Sequence, residues 1–140
     1  MTYGRIVRQV HPREPVHLLM SWPVAAVEAT DSLADVGRTL ADNEIGAVVV
    51  LLDGCLVGVV SERDLTTAAG HGDDDRLTAA DVMAQNLVTV PPEAPLVEAA
   101  RIMREAHVRH LPVISDGSIA GMLSMRDLFD VLLRQAEYRT

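Results

Sequence analysis

The sequence has 140 residues, of which 49% are hydrophobic and only 3% aromatic, so it can bury one aliphatic core of ordinary domain size. Its net charge of -8 opposes contact with phosphate backbones, and we therefore expect no nucleic-acid partner. The single cysteine excludes an internal disulfide. No apolar run is long enough to span a membrane and no signal segment opens the chain, which together favour a cytoplasmic location without a membrane partner.

The first half of the chain contains one predicted β-α-β-β-α unit. Residues 1–14 form an N-terminal arm, either an added strand or disordered, and residues 15–70 carry the unit itself. A short helix comes first, a strand follows at 24–27, and the next helix has its apolar side chains at i, i+3 and i+7, which places them on one face. Those apolar side chains are Leu33, Val36 and Leu40. An apolar strand at 47–52, an Asp-Gly hairpin signal and a returning strand at 56–60 then lead into the last helix.

The second half repeats this order at an offset of 63 residues. Residues 71–77 form a polar linker, residues 78–135 carry the second unit, and residues 136–140 form a C-terminal tail. The short helix is expected at 78–83, and the strands at 87–90, 111–114 and 119–123. The helix between the first two of these strands presents Leu96, Ala99 and Met103 on one face. Ser32 is placed as an N-cap of its helix, and Pro95 as the first residue of the equivalent helix.

The duplicated runs GAVVVLLDGCLVGVVSERDL and VRHLPVISDGSIAGMLSMRDL resemble the second half of CBS motifs. The resemblance covers roughly residues 16–135 and implies an α/β (α+β) fold of two CBS motifs packed with pseudo-twofold symmetry into one domain. This pair is often called a Bateman module, and here it looks like a stand-alone CBS protein. The resemblance also implies an adenosine-containing ligand (AMP, ADP, ATP or S-adenosylmethionine), a homodimer, and a regulated protein partner.

The two Ser-x-Arg-Asp tails supply the chemistry that a nucleotide needs. Asp64 and Asp127 can accept hydrogen bonds from ribose hydroxyls. Ser61 and Ser124 lie at helix starts, where hydroxyl and backbone N–H groups can meet phosphate. The side chain of Arg109 can add a guanidinium contact to phosphate.

In the resembled family the tail of one motif faces the walls of the other. That pattern implies that Asp127, Ser124 and Arg109 face residues 25–27 and 46–48, while Asp64 and Ser61 face residues 87–89 and 110–112. The candidate wall residues are Ala25, Ala26, Val27, Gly46, Ala47, Val48, Val88, Thr89, His110 and Pro112. Because the first repeat has Gly46-Ala47 where the second has Arg109-His110, we expect two unequal sites, with the Asp127 site the better phosphate binder.

Each of these candidates also has a purely structural interpretation. Ser61 with Asp64, and Ser124 with Asp127, have the spacing of a helix capping box. Arg63 and Arg126 are either ligand contacts or surface residues, and Arg109 is either a phosphate contact or an exposed charge. Trp22 is expected to pack near the first strand, with closure of an adenine slot as the alternative.

The remaining polar residues do not indicate catalysis or a metal site. His107 and His110 are close enough in sequence to lie together on a helix, but no third ligand follows at a metal spacing, so no metal or required cofactor is expected. Cys55 has no neighbouring base and is expected to be a partly exposed thiol. The sequence therefore predicts a regulatory nucleotide sensor rather than an enzyme; the alternative is a CBS-pair scaffold that binds a protein partner without nucleotide.

Overall fold

The computed structural model describes residues 10–70, 72, 76–84 and 86–138. Most of the predicted arm, the greater part of the linker and the last two residues of the tail therefore lie outside the described residues. A 3-10 helix at Val16–Leu18 precedes the first strand. The helices are α1 (Leu33–Asn43), α2 (Glu62–Gly70), α3 (Ala79–Val82), α4 (Leu96–Ala106) and α5 (Met125–Tyr138). The strands are β1 (Ala26–Glu28), β2 (Ala47–Leu52), β3 (Cys55–Ser61), β4 (His110–Ser115) and β5 (Ser118–Ser124).

Two antiparallel hairpins form the centre of the molecule. β2 pairs with β3, and β4 pairs with β5, each around an Asp-Gly turn. Both turn residues have positive φ in each hairpin, 51° and 79° at Asp53-Gly54 and 50° and 81° at Asp116-Gly117. These are the angles of a type I′ turn, which matches the twist of the flanking strands. The prediction of a duplicated α/β unit with pseudo-twofold symmetry is confirmed.

The first strand differs between the two repeats. In the first repeat β1 runs parallel to β2, and Ala29 beyond it still donates its N–H to the carbonyl of Leu51 over 2.8 Å. In the second repeat the predicted strand at 87–90 is reduced to a single parallel bridge between Val90 and Val113. Pro91 and Pro92 follow Val90 directly, and proline has no N–H to continue the ladder. The prediction of a full strand there was wrong: the two prolines end the ladder after Val90, and Pro112 lacks the N–H that Val49 donates to Ala25 at the matching place in the first repeat. The first strand lies at 26–28 rather than 24–27.

The helix faces predicted from spacing are the buried ones. Val36 and Ala99 have no exposed surface, and the other members of both stripes are less than a tenth exposed. Ser32 caps α1, its hydroxyl accepting the N–H of Asp35 over 3.1 Å.

The N-terminus of α4 is completed by residues far away in the sequence. Pro95 is the N-cap of α4 rather than its first residue, and its side chain cannot accept a hydrogen bond. The first helical amides donate instead to the arm: Leu96 N–H to the carbonyl of Glu14 over 2.9 Å, and Val97 N–H to that of Pro12 over 2.8 Å. These bonds satisfy amides that every helix leaves open at its start. The last residues of the predicted arm are therefore ordered against the second repeat.

The segment that leads into each repeat packs into the core of the other repeat. Val16 belongs to the cluster of Val90, Leu96 and Leu111, and Ala79 belongs to the cluster of the first repeat. Backbone bonds show the same exchange: Ser21 pairs with Met122, and Ala84 donates its N–H to the carbonyl of Val59. A third cluster between the hairpins contains Ala47, Val49, Val59 and Met122. Each repeat is therefore completed by residues from the other.

We expect Val16→Ala to destabilise the whole chain by about 2 kcal/mol, because a fully buried valine is removed from the core of the second repeat. Urea denaturation measures this loss. The control is Leu18→Ala, which alters an exposed side chain in the same short helix and should change stability by no more than about 0.5 kcal/mol. Equal stability of Val16→Ala and wild type would contradict the exchange of segments.

Candidate functional site

Each hairpin ends at a serine that begins a helix without an intervening loop. β3 ends at Ser61 and α2 follows, while β5 ends at Ser124 and α5 follows. The hydroxyl of Ser61 accepts the N–H of Asp64 over 3.3 Å, and that of Ser124 accepts the N–H of Asp127 over 3.2 Å. Both serines are therefore N-caps. The structural interpretation of the two serines is correct, and it leaves the roles of the two carboxylates to be distinguished.

The carboxylates of Asp64 and Asp127 differ although their local sequences match. Asp64 Oδ2 accepts the backbone N–H of Ser61 over 2.8 Å and its hydroxyl over 3.0 Å, which completes a capping box. Within the described part of the chain, the Asp127 carboxylate accepts no hydrogen bond and forms no ion pair. Both side chains are partly buried. The lone pairs of Asp127 are thus available to a ligand, whereas those of Asp64 are engaged in the cap.

Arg109 is held at the first turn of α5. Its carbonyl accepts the N–H of Met125 over 2.8 Å, and its side chain is exposed. Gly46 takes the same place in the first repeat, where its carbonyl accepts the N–H of Glu62 over 3.0 Å. The structure therefore brings Arg109, Ser124 and Asp127 together at one helix N-terminus. The equivalent group in the first repeat has no cation at the position of Gly46.

His110 lies between the two helix starts. It pairs with Ser124 in the β4–β5 hairpin, and a Cβ added at Gly46 would lie 3.3 Å from its Nε2 atom. Burial lowers the pKa of His110, while the negative charges of Asp127, Asp64 and Glu62 oppose that shift and Arg109 adds to it. Carboxylates of both repeats thus influence the pKa of this one imidazole. The influence of Glu62 was not foreseen, although its place beside Ser61 in the sequence was visible.

The predicted wall residues divide into two groups by exposure. Little side-chain surface is open to a bound molecule at four of them, because their side chains are buried: Val27, Ala47, Val48 and Pro112. Surface is open at Ala25, Ala26, Gly46, Val88, Thr89 and His110, which are partly buried or exposed. Arg63 and Arg126 are exposed, and neither forms an ion pair among the described residues.

Trp22 does not pack as predicted. Its side chain is 73% exposed. The backbone of Ser21 pairs with Met122, and the side chains that fill the inter-hairpin cluster from this stretch begin at Val24. That tertiary pairing leaves the indole outside the core, which local sequence could not reveal. Its alternative role beside an adenine ring stays a prediction.

The structure gives His107, His110 and Cys55 no shared metal site among the described residues. His107 ends α4 with a φ of 57°, whereas His110 begins β4, so the two histidines do not lie together on one helix. Among the described residues no group of three or more His, Cys, Asp or Glu side chains could hold a metal ion. Cys55 is a free, exposed cysteine at the start of β3. Over the same residues, no helix combines the length and apolar character needed to cross a bilayer.

The sequence of this chain is similar to those of known CBS domain proteins. The family model of the CBS domain matches residues 13–71 and 79–134. The CBS domain-containing protein DDB_G0289609 of Dictyostelium discoideum is 33% identical over 135 residues, covering 87% of this chain and 93% of the relative. The CBS domain-containing protein YhcV of Bacillus subtilis is 28% identical over 112 residues, covering 78% of this chain and 79% of the relative.

A solved structure shares the fold. The CBS domain pair of protein MJ0100, crystallised in complex with 5′-methylthioadenosine and S-adenosyl-L-methionine, aligns with a TM-score of 0.80 and 20% identity. The alignment covers 89% of this chain and 99% of that one. Identity at this level shows a common fold and no more.

The capping difference predicts unequal effects on stability. We expect Asp64→Ala to lower the free energy of unfolding by about 1 kcal/mol more than Asp127→Ala, because only Asp64 completes a capping box. Both variants lose a favourable charge near a helix N-terminus, so the difference between them isolates the cap. Urea denaturation at pH 7 provides the measurement. A larger loss for Asp127→Ala would show that its carboxylate has a structural partner.

Burial of His110 predicts a dependence of stability on pH. Because its pKa in the folded state is lowered from 6.5, the unfolded chain binds a proton more readily, and stability falls as the pH drops below about 6.5. We expect His110→Gln to flatten this part of the curve, measured by denaturation between pH 7.5 and pH 5 in steps of about half a unit. His17→Gln, a change at an exposed histidine, is the control and should retain the slope. Identical slopes for wild type and His110→Gln would disprove the assignment.

Proposed function

The chain belongs to the CBS domain family, and from that premise we propose that it is a regulatory sensor that binds an adenosine-containing ligand and catalyses no reaction. The ligand is AMP, ADP, ATP, S-adenosylmethionine or another adenosine derivative, and no cofactor is required. The observation that carries the proposal is the Asp127 carboxylate, which is partly buried at a helix start and unpaired within the described chain. A carboxylate in this state suits the vicinal hydroxyls of a ribose.

The neighbours of Asp127 support the same ligand. Arg109 is anchored to the first turn of α5 and can direct its guanidinium at phosphate, and the helix N-terminus favours an anion. The surface left open by Ala25, Ala26 and Gly46 is small and apolar, as an adenine slot requires. The CBS domain pair of protein MJ0100, which shares this fold, was crystallised in complex with 5′-methylthioadenosine and S-adenosyl-L-methionine, and this supports the ligand class.

The two repeats contribute unequally in this proposal. The site of the first repeat has Gly46 in place of the cation, and its Asp64 is engaged in a cap. A nucleotide at the Asp64 site would have to break the capping box before the carboxylate could accept ribose hydroxyls. The Asp127 site therefore binds first and more tightly. His110, which lies between the two carboxylates, would be affected by phosphate at either site.

Regulation follows if the ligand binds two conformations with different affinity. Ligand at the Asp127 site would join the start of α5 to the walls of the first repeat, and a partner protein would recognise the tightened form. The compartment we propose is the cytoplasm. The competing function is a scaffold of the same fold that binds a protein partner without nucleotide, and ligand binding separates the two.

A thermal shift panel of AMP, ADP, ATP, NAD and S-adenosylmethionine tests the ligand class. A ligand present at 100 times its dissociation constant stabilises the folded chain by about 2.7 kcal/mol, which raises the melting temperature by several degrees. The absence of a shift with every compound would favour the scaffold.

Calorimetric titration of the best ligand then tests the site. We expect Asp127→Ala to weaken binding at least tenfold, Asp64→Ala to weaken it much less, and Glu105→Ala, an exposed carboxylate on α4, to leave it unchanged. Arg109→Ala should weaken a phosphorylated ligand more than adenosine. Equal losses for Asp127→Ala and Asp64→Ala would refute the asymmetry while leaving the ligand class intact.

A further inference from the structure

The starts of helices α2 and α5 carry opposite charges at one matching pair of positions. In the second repeat the carbonyl of Arg109 accepts the N–H of Met125 over 2.8 Å, so a cationic residue is bonded to a neutral one. In the first repeat the carbonyl of Gly46 accepts the N–H of Glu62 over 3.0 Å, so a residue without a side chain is bonded to an anionic one. The same backbone hydrogen bond therefore joins a positively charged pair in one repeat and a negatively charged pair in the other.

The other charged residues at the two helix starts match. Arg63 corresponds to Arg126, and Asp64 corresponds to Asp127, so these residues bring the same charges to both repeats. The first turn of α2 has two acidic side chains, whereas that of α5 has one. The carboxylate of Glu62 forms no hydrogen bond or ion pair among the described residues, and its charge is therefore not neutralised by a partner there.

The charge of Glu62 acts inside the cleft between the repeats, although its side chain is exposed. Glu62 is bonded to Gly46, and a Cβ added at Gly46 would lie 3.3 Å from the Nε2 atom of His110. The negative charge of Glu62 opposes the lowering of the pKa of His110, whereas the positive charge of Arg109 adds to it. The two matching positions therefore impose fields of opposite sign on the same point of the cleft.

We infer that Glu62 is a specificity-determining residue that selects against phosphate at the Asp64 site. An adenosine ligand at this site carries an uncharged or cationic group on its ribose 5′ carbon, whereas the Asp127 site, beside Arg109, accepts phosphate. This inference rests on the proposed function and deepens it, because it assigns a different ligand chemistry to each repeat.

Repulsion between like charges sets the size of the expected selectivity. A helix N-terminus attracts an anion, and at the start of α2 the carboxylates of Glu62 and Asp64 already fill that role. A phosphate there would add further negative charge, and Gly46 supplies no cation to offset it. One uncompensated charge close to a partly solvated site changes affinity by about threefold to tenfold at physiological salt. A ligand without phosphate avoids this cost.

Calorimetric titration of ADP and 5′-methylthioadenosine tests the role of Glu62, because both contain adenosine and only ADP has an anionic 5′ group. An Asp127→Ala chain isolates the first repeat, since it removes the ribose carboxylate of the other site. We expect this chain to bind 5′-methylthioadenosine at least about fivefold more tightly than ADP. Adding Glu62→Gln should tighten ADP binding by about threefold to tenfold and change 5′-methylthioadenosine binding by less than about twofold.

The matched control is Glu44→Gln in the same Asp127→Ala chain. Glu44 is an exposed carboxylate close to Gly46 in the sequence, and it is not among the described charges that act on the pKa of His110. This control should leave both affinities within about twofold, because salt screens an exposed charge outside the cleft. An Asp127→Ala chain that binds neither ligand, or an ADP affinity that Glu62→Gln leaves unchanged, would overturn the inference.

The mirror substitution in the second repeat provides a test that does not rely on the Asp64 site being filled. Met125→Glu in the otherwise wild-type chain places a carboxylate at the position that matches Glu62. It should weaken ADP binding at least about threefold and change 5′-methylthioadenosine binding by less than about twofold. Met125 is 39% exposed, so the new side chain needs no space in the core. Met125→Gln, which is isosteric with the glutamate and uncharged, is the control and should bind both ligands as the wild type does.

Binding to the wild type separates the inference from the proposed function. A wild-type chain that binds neither ADP nor 5′-methylthioadenosine refutes the proposed function, and the selectivity of Glu62 with it. A wild-type chain that binds ligand, but whose preference between the two compounds is unchanged by Met125→Glu, refutes the inference alone.

Discussion

Two methionines crossing between the repeats hold the molecule together. Met83, which leads into the second repeat, lies over Gly58 in the first, where an added Cβ would be only 2.5 Å from its Sδ atom. Met20 lies over Gly121 in the same way. The methionine side chain can pack this closely only because the glycine beneath it has no Cβ. Both contacts join one repeat to the other, as does the close approach of His110 to Gly46.

The candidate site depends on an asymmetry that the symmetric backbone permits. The two tails share the residues Ser-x-Arg-Asp, yet Asp64 bonds back to Ser61 while Asp127 does not bond back to Ser124. The first repeat uses its carboxylate to stabilise a helix start, and the second leaves its carboxylate to solvent or ligand. The carboxylate oxygens of this aspartate can therefore either complete the helix cap or accept hydrogen bonds from a ligand. A duplicated fold can meet both demands because it has two copies of the tail.

Helix α5 serves both features that the second repeat has and the first lacks. Its first turn carries Asp127 beside Arg109, and its exposed face carries Phe129 one turn further on. Helix α2 has a capped carboxylate at its start and polar or small residues on its exposed face. Helix α5 therefore carries both the carboxylate beside Arg109 and exposed apolar side chains, whereas the carboxylate of Asp64 on α2 is engaged in a cap.

The sequence by itself determined the elements that depend on neighbouring residues: the type I′ turns at the Asp-Gly pairs, the buried faces of α1 and α4, and the serine caps. It also contained the reason for the lost strand, since neither Pro91 and Pro92 after Val90 nor Pro112 opposite it can donate to a ladder. Only the tertiary structure decided that Val16 fills the core of the second repeat, that Trp22 remains outside, and that Asp64 is capped while Asp127 is not. Turns, caps and amphipathic spacing arise from interactions within a few residues, whereas these outcomes depend on packing between residues far apart in the chain, which no local pattern encodes.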